Sequence, residues 1–346
     1  TKLLKLASFS NPKFYELQRA RMPTRNIPIR INCGTVEDNL IKIPRGCFES
    51  AEAVLAQAGA KLTFEDARNQ GFPIDVAFHG KLYAEQQAAS EALVSFDDGI
   101  LIAPTGFGKT VIGAHLISER NVNTLIITHR EELADQWCAQ LPLFLGLPPD
   151  SIGRWHGSKK SLSHTIDVAA VSFENVLQAI CAKYIVGLTA TLTRQDGHHP
   201  IVTMQCGPVR HKVNARATAQ KRGFEHIVFV RNTQTTLPTE FPSSSITKLH
   251  EHLANDSVRN ELIFNDIMHA LEERRSPLVL TERLSQLSIL EDKLSKVARN
   301  VIVLKGKMTK KERQQAKERL ASIPDEEERV IISTGKYIGE GFDDHR

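Results

Sequence analysis

The chain has 346 residues, 41% of them hydrophobic and 24% charged, with a net charge of +4; this is room for two or three ordinary globular domains, and too little charge to argue nucleic-acid binding on its own. No apolar run has the length of a membrane-crossing helix, and no signal peptide opens the chain, which begins at Thr1 rather than Met. The five cysteines (Cys33, Cys47, Cys138, Cys181, Cys206) are odd in number and never form a C-x-x-C pair; this argues against a disulfide framework or zinc and for a reducing, cytoplasmic compartment.

Residues 1–80 carry no catalytic signature. Alternating apolar residues at Ile27, Ile29 and Ile31 and at Leu40 to Ile43 predict two short strands, Phe48 to Ala58 an amphipathic helix, and Leu62 to Phe64 a further strand. The result is a small α+β module. Its basic and aromatic residues, among them Lys13, Tyr15, Arg19, Arg25 and Arg30, suit a nucleic-acid contact or a solvated face.

From Leu82 the character changes. Leu82 to Ala89 opens a helix, and Ile100 to Ala103 reads as a buried strand. That strand ends in Ala103-Pro-Thr-Gly-Phe-Gly-Lys-Thr110, after which a helical pattern runs through Val111, Ile112, Leu116 and Ile117. Strand, glycine loop, Lys-Thr and helix are the context of a phosphate-binding loop. Pro104, Thr105, Gly106, Phe107 and Gly108 supply backbone N–H groups around a polyphosphate, and the helix N-terminus adds partial positive charge. Lys109 is expected to reach the β and γ phosphates and the Thr110 hydroxyl to hold Mg²⁺. Gln86, just upstream, carries an amide that matches an adenine edge. ATP with Mg²⁺ is the expected cofactor.

Further strands are predicted at Asn123 to Arg130, Thr165 to Ala169 and Tyr184 to Thr191, with a helix from Glu131 to Gln140. Ile152 to Lys160 reads as a turn-rich basic patch, with Trp155, like Trp137, read as a packing residue rather than a base-stacking platform. Residues 204–225 look like a polar connector. A second alternation follows: strands at Ile227–Val230, Leu278–Leu280, Val301–Leu304 and Val330–Ser333, and helices at Val258–Glu273, Leu284–Val297 and Lys310–Leu320. Strands alternating with helices imply mostly parallel sheets with right-handed crossovers. The expected domains are 1–80, 81–215 and 216–346.

In order and spacing these motifs resemble the superfamily 2 DExH helicases and translocases, most closely the subset containing the DNA translocase of the transcription and repair factor TFIIH. Ala103 to Thr110 resembles motif I, and Gln86 the upstream glutamine motif. Thr128-His-Arg-Glu-Glu-Leu133 resembles motif Ia, and Gly187-Leu-Thr-Ala-Thr191 motif III. Val279 to Arg283 resembles motif IV, and Ser333 to Asp343 motif V. The N-terminal stretch, with Asn11-Pro-Lys-Phe-Tyr15 and Ile43-Pro-Arg-Gly-Cys47, is similar to bacterial helicase–nuclease proteins of mobile-element conflict and phage defence.

The resemblance implies two RecA-like lobes, the second truncated here, that clamp ATP and walk along DNA, with nuclease or other domains as further partners. Lys109, Thr110 and Asp343 are the implied catalytic residues, and Gly341 also reaches the nucleotide. Thr189, Ala190 and Thr191 couple nucleotide state to lobe movement. His129, Arg130, Lys159, Lys160, Thr281, Arg283 and Thr334 are the implied contacts to nucleic acid, hydroxyls and cations suited to phosphates.

Two implied motifs are absent. The Asp-Glu-x-His box belongs between the strand ending near Ala169 and the helix beginning at Ser172, yet these abut at Ala170-Val171. Removing a central strand leaves two rows of backbone polar groups unpaired in the core. The expectation is therefore a segment of about 30 residues, a strand-plus-helix unit, missing from the chain. The alternative is a hydrolysis-deficient ATP- and DNA-binding remnant. The arginine-finger motif is absent as well, because the chain stops soon after motif V. A small-molecule P-loop kinase is the third reading, disfavoured by the motif-V-like residues.

Overall fold

The computed structural model describes residues 2–157, 159–193, 197–214, 227–236, 246–306 and 308–335. The chain divides into two compact units, Thr1–Phe224 and Glu225–Arg346, and each is an α/β structure built around parallel strands.

The first unit opens with α1 (Lys2–Leu6), β1 (Ser8–Ser10), α2 (Pro12–Arg19), β2 (Arg30–Asn32), β3 (Thr35–Glu37), β4 (Leu40–Lys42) and α3 (Phe48–Gln57). Asn11 starts α2 by accepting from the Lys13 N–H, with Pro12 in the first turn, where a missing donor costs nothing. β1 pairs with β2 and β3 with β4, both antiparallel. Four short strands therefore stand where two were expected. The strand expected at Leu62–Phe64 does not form: Phe64 instead places its ring 5.1 Å from that of Phe48.

Next come α4 (Ala84–Val94), β5 (Asp98–Ile102), α5 (Lys109–Arg120), β6 (Thr124–Thr128), α6 (Glu131–Leu145), β7 (Gly153–His156), β8 (Lys159–Ser161), β9 (Ile166–Ala170), α7 (Phe173–Ala179), β10 (Ile185–Thr189), α8 (His199–Cys206) and β11 (Val209–Lys212). Two predictions change here. The supposed basic turn at 152–160 holds the β7–β8 hairpin, where Trp155 faces Lys160 across the ladder. The supposed connector holds α8 and β11, and β11 joins the sheet beside β5. Polarity hid both, because β8 is an edge strand and β11 carries Arg210, His211 and Lys212.

The strands of this unit form two larger sheets, ordered β10-β5-β11 and β6-β9-β7-β8. β10 and β11 run parallel to β5, with Gly187 opposite Ile100. β6 runs parallel to β9. Among the described residues β10 pairs only with β5 and β6 only with β9, so each presents one open edge. Residues 69–73 bridge the starts of both edges, Asn69 pairing with Ala182 and Pro73 with Val122. Those four steps of chain span at most ~14 Å, so the open edges begin within a few strand spacings of each other.

The second unit has α9 (Ile246–Asn255), α10 (Ser257–Glu272), β12 (Leu278–Thr281), α11 (Leu284–Leu294), β13 (Val301–Leu304), α12 (Lys310–Ser322) and β14 (Val330–Thr334). Asp256 caps α10 through the Arg259 N–H, and Thr309 with Glu312 forms a capping box on α12. β12 and β13 flank β14, all parallel. Leu287, Leu290, Leu294, Val330 and Ile332 are wholly or almost wholly buried between this sheet and its helices. Ile227–Val230, expected as a strand, is irregular and exposed.

Candidate nucleotide-binding site

β5 is held on both sides, and Ile100, Leu101 and Ala103 have no solvent exposure. At its carboxyl end the chain enters the loop 104–108. Gly106 and Gly108 adopt φ of +75° and +89°, a region that side-chain-bearing residues enter only at a cost. Phe107 between them is buried among Ala89, Leu93, Ile112 and Leu116, so one apolar side chain pins the loop to the core. α5 starts directly at Lys109, with Gly108 as its N-cap. The loop therefore combines left-handed glycines, a helix N-terminus and a lysine, the donor set that suits a polyphosphate.

Lys109 folds back over the loop: its Nζ donates to the carbonyls of Ala103 (3.0 Å) and Pro104 (3.1 Å). Thr110 follows on the first turn of α5 and is half-buried. Gln86 is nearly buried, and its Nε2 donates to the Phe107 carbonyl at 2.8 Å. Its Oε1 accepts from the Tyr83 N–H at 2.9 Å, the side-chain half of a capping box at the start of α4. Gln86 thus braces the loop, a task that its spacing from the glycines did not reveal. The signal was present, since glutamine at the third position of a helix reaches back to its cap.

β10 brings the next predicted group. The Ala103 N–H donates to the Thr189 carbonyl at 2.9 Å, so Thr189, Ala190 and Thr191 lie one hydrogen bond from the loop entrance. The Thr189 hydroxyl donates to the Thr191 carbonyl at 2.7 Å and accepts from its N–H, closing a tight local turn. Gly341 and Asp343 lie outside the described residues.

The predicted nucleic-acid contacts distribute unevenly. In the first unit His129 is exposed beside Phe173, with ring centroids 6.0 Å apart, and Arg130 is the N-cap of α6. Lys159 lies in β8, and Lys160 is exposed there, its Nζ 5.4 Å from the Trp155 ring centroid. Trp155 is 42% exposed, so the packing role expected of it is corrected, whereas Trp137 does pack, against Gly113 of α5.

In the second unit Thr281 also needs correction. Its hydroxyl is buried and donates to Gln286 Oε1 at 2.7 Å, in a chain that continues through Asn260 to the Ala254 carbonyl. This buried polar network leaves the hydroxyl no access to a phosphate. Arg283 and Thr334 are half-buried, each with a buried polar atom (Nε and Oγ1) that makes no hydrogen bond.

Comparison with known proteins agrees with this geometry. A family model described as the res subunit of type III restriction enzymes matches residues 79–171, which hold the loop and the strands after it. A DNA 3'-5' translocase XPB2 of Sulfurisphaera tokodaii is 28% identical over 160 residues, 39% of this chain and 36% of the relative. A DNA 3'-5' helicase XPB of Kineococcus radiotolerans is 25% identical over 281 residues, 70% of this chain and 49% of the relative. The chain thus spans about half or less of the length of these curated relatives. The solved structure of T4 UvsW superposes with a TM-score of 0.44 at 13% identity, covering 99% of this chain and 77% of that one. In its phosphate-binding loop and in the order of the motifs around it, the chain resembles the superfamily 2 helicases, and among them the XPB-like translocases.

Proposed function

We propose that the protein is the motor core of an ATP-dependent DNA helicase or translocase. The loop 104–108, with left-handed glycines at 106 and 108 and Lys109 poised over it, is the observation that carries the reading. When ATP arrives, Lys109 exchanges two backbone carbonyls for the β and γ phosphates, and Thr110 supplies a hydroxyl to Mg²⁺. Gln86 keeps one amide N–H and one lone pair for the adenine edge while its other groups hold the loop. Mg²⁺ held by Thr110 and the phosphates would, with the Lys109 ammonium, offset the negative charge on the phosphate oxygens during phosphoryl transfer.

Thr189 to Thr191 sense the phosphates through the Ala103 hydrogen bond. We assign Asp343 and Gly341 to the second unit's contribution to hydrolysis. DNA, double-stranded or partly unwound, binds without sequence preference through His129, Arg130, Lys159, Lys160 and Arg283; the Thr334 hydroxyl, buried like that of Thr281, is left out of this set. Nuclease or other domains of a bacterial defence or repair system are the partners we expect, in the cytoplasm. No helix among the described residues is long and apolar enough to cross a membrane.

A second reading starts from the near-abutment of β9 and α7 across Ala170-Val171, where the sequence has no Asp-Glu pair: a chain without that pair would bind ATP and DNA but barely turn ATP over. DNA-stimulated ATP turnover separates the two. Stimulation by duplex DNA that is lost in Lys109→Ala supports the motor; bound ATP with no stimulation supports the remnant.

A further inference from the structure

We propose that Ile227–Val230 docks as a fourth parallel strand on the open edge of β12, filling the groove between that edge and α10. The inference concerns the second unit alone and does not depend on the nucleotide reading.

β12 pairs with β14 on one side and with no strand among the described residues on the other. Its outward-facing Leu278 and Leu280 are exposed. Beside this edge lies a groove of about 360 Å³, lined by Ile263, Asp266, Ile267 and Ala270 of α10 together with Leu278 and Leu280. Ile227, Val228, Phe229 and Val230 are four consecutive apolar side chains, each at least 64% exposed. A short run apolar at every position is the pattern of a parallel strand covered on both faces, not of a surface loop.

The segment is already tethered at this groove. Arg231 makes a two-pronged ion pair with Asp266, Nη2 to Oδ1 at 2.8 Å and Nε to Oδ2 at 3.1 Å. Further along, Thr235 and Thr236 share a hollow with Asp256 and Ser257 at the start of α10. From Asp256 to Asp266 the helix rises about 15 Å, and the four to five residues from Arg231 to the hollow span about 13–17 Å when extended. The two lengths match, so residues 231–236 run extended alongside α10, in the opposite direction to it.

The same path carried back another four residues, about 13 Å, brings Ile227 toward residues 274–277, the entrance to β12. α10 and β12 line one groove and are joined by only residues 273–277, so β12 also runs opposite to α10. Segment and strand therefore share a direction, as do β12, β14 and β13. Four residues face the four of Leu278–Thr281.

Hydrogen–deuterium exchange on the chain tests this, read in peptides covering 227–231 and 278–281, in wild type, Val228→Pro, Phe229→Pro and Asp266→Ala. Docking predicts that both stretches exchange at least about 10-fold more slowly than unstructured chain. Successive N–H groups of a strand point to opposite sides, so one of the two proline variants removes a ladder donor and should raise both rates about 10-fold, while β13 and β14 keep their protection. Asp266→Ala should loosen 227–231 in the same direction. Exchange of 227–231 at the unstructured rate in wild type overturns the proposal, whatever the variants do. So does protection of 278–281 that both proline variants leave unchanged, since something else would then cover the edge.

Discussion

Replacing Gln86 by Ala is the most informative perturbation, because the side chain ties together two elements that sequence reading treated separately. The change removes the 2.8 Å bond to the Phe107 carbonyl and the 2.9 Å bond from the Tyr83 N–H. Each contributes about 1 kcal/mol, and an orphaned buried carbonyl adds about 1–3 kcal/mol. The sum, about 3–5 kcal/mol, should lower the urea midpoint of the first unit by roughly 1–2 M, followed by circular dichroism. The loosened loop should also bind an ATP analogue about 10-fold more weakly, since 1.4 kcal/mol lost from the bound geometry is tenfold in affinity. Gln86→Glu keeps the acceptor for Tyr83 but sets a carboxylate against a carbonyl, and should rank no better. A wild-type midpoint together with wild-type affinity in Gln86→Ala would refute the bracing role.

Three further outcomes follow. Gly113→Ala places a methyl 2.4 Å from Trp137 Cη2 and 3.5 Å from Leu188 Cδ1; a rigid indole cannot yield, so a loss of about 1–3 kcal/mol is expected, read by urea titration of tryptophan fluorescence. Burial pushes the Cys206 thiol above the ordinary cysteine value, up to about 11. The native state therefore disfavours the thiolate, and the stability Cys206 contributes is intact below pH 9 and fades between about pH 9 and 11. That loss should be about 2–3 kcal/mol and should vanish in Cys206→Ala, compared by denaturation at pH 8 and pH 11. In thiol labelling of the native chain, exposed Cys181 should react first, whereas buried Cys138 and Cys206 wait for unfolding; equal rates for all three would contradict the burial.

The parts of this structure that were legible in the sequence are those where local pattern and tertiary context agree. β5 is apolar throughout because it is held on both sides, and Gly106 and Gly108 are glycines because φ is positive there. The capping box on α12 is written in Thr309 and Glu312. What was hidden is decided by neighbours. The β7–β8 hairpin reads as a basic turn because it lies at a sheet edge where solvated cations are tolerated. Thr281 looks like a phosphate contact until Gln286 and Asn260 are brought to it from two helices. The bracing role of Gln86 is hidden in the same way, because only the fold sets its amide against the Phe107 carbonyl. The near-abutment of β9 and α7 at Ala170-Val171, by contrast, is legible as a departure from a resemblance; among the described residues β6 and β10 each pair on one side only.

The central claim is that a nucleoside triphosphate is held by the loop around Lys109. Equilibrium binding of a fluorescent ATP analogue to the chain and to its Lys109→Ala variant tests it most directly. Mg²⁺-dependent binding that competes with ATP and weakens at least about 10-fold in the variant is predicted, the loss of a charge-assisted contact worth about 1.5–3 kcal/mol. Equal binding by the two proteins, or none by the wild type, would contradict it.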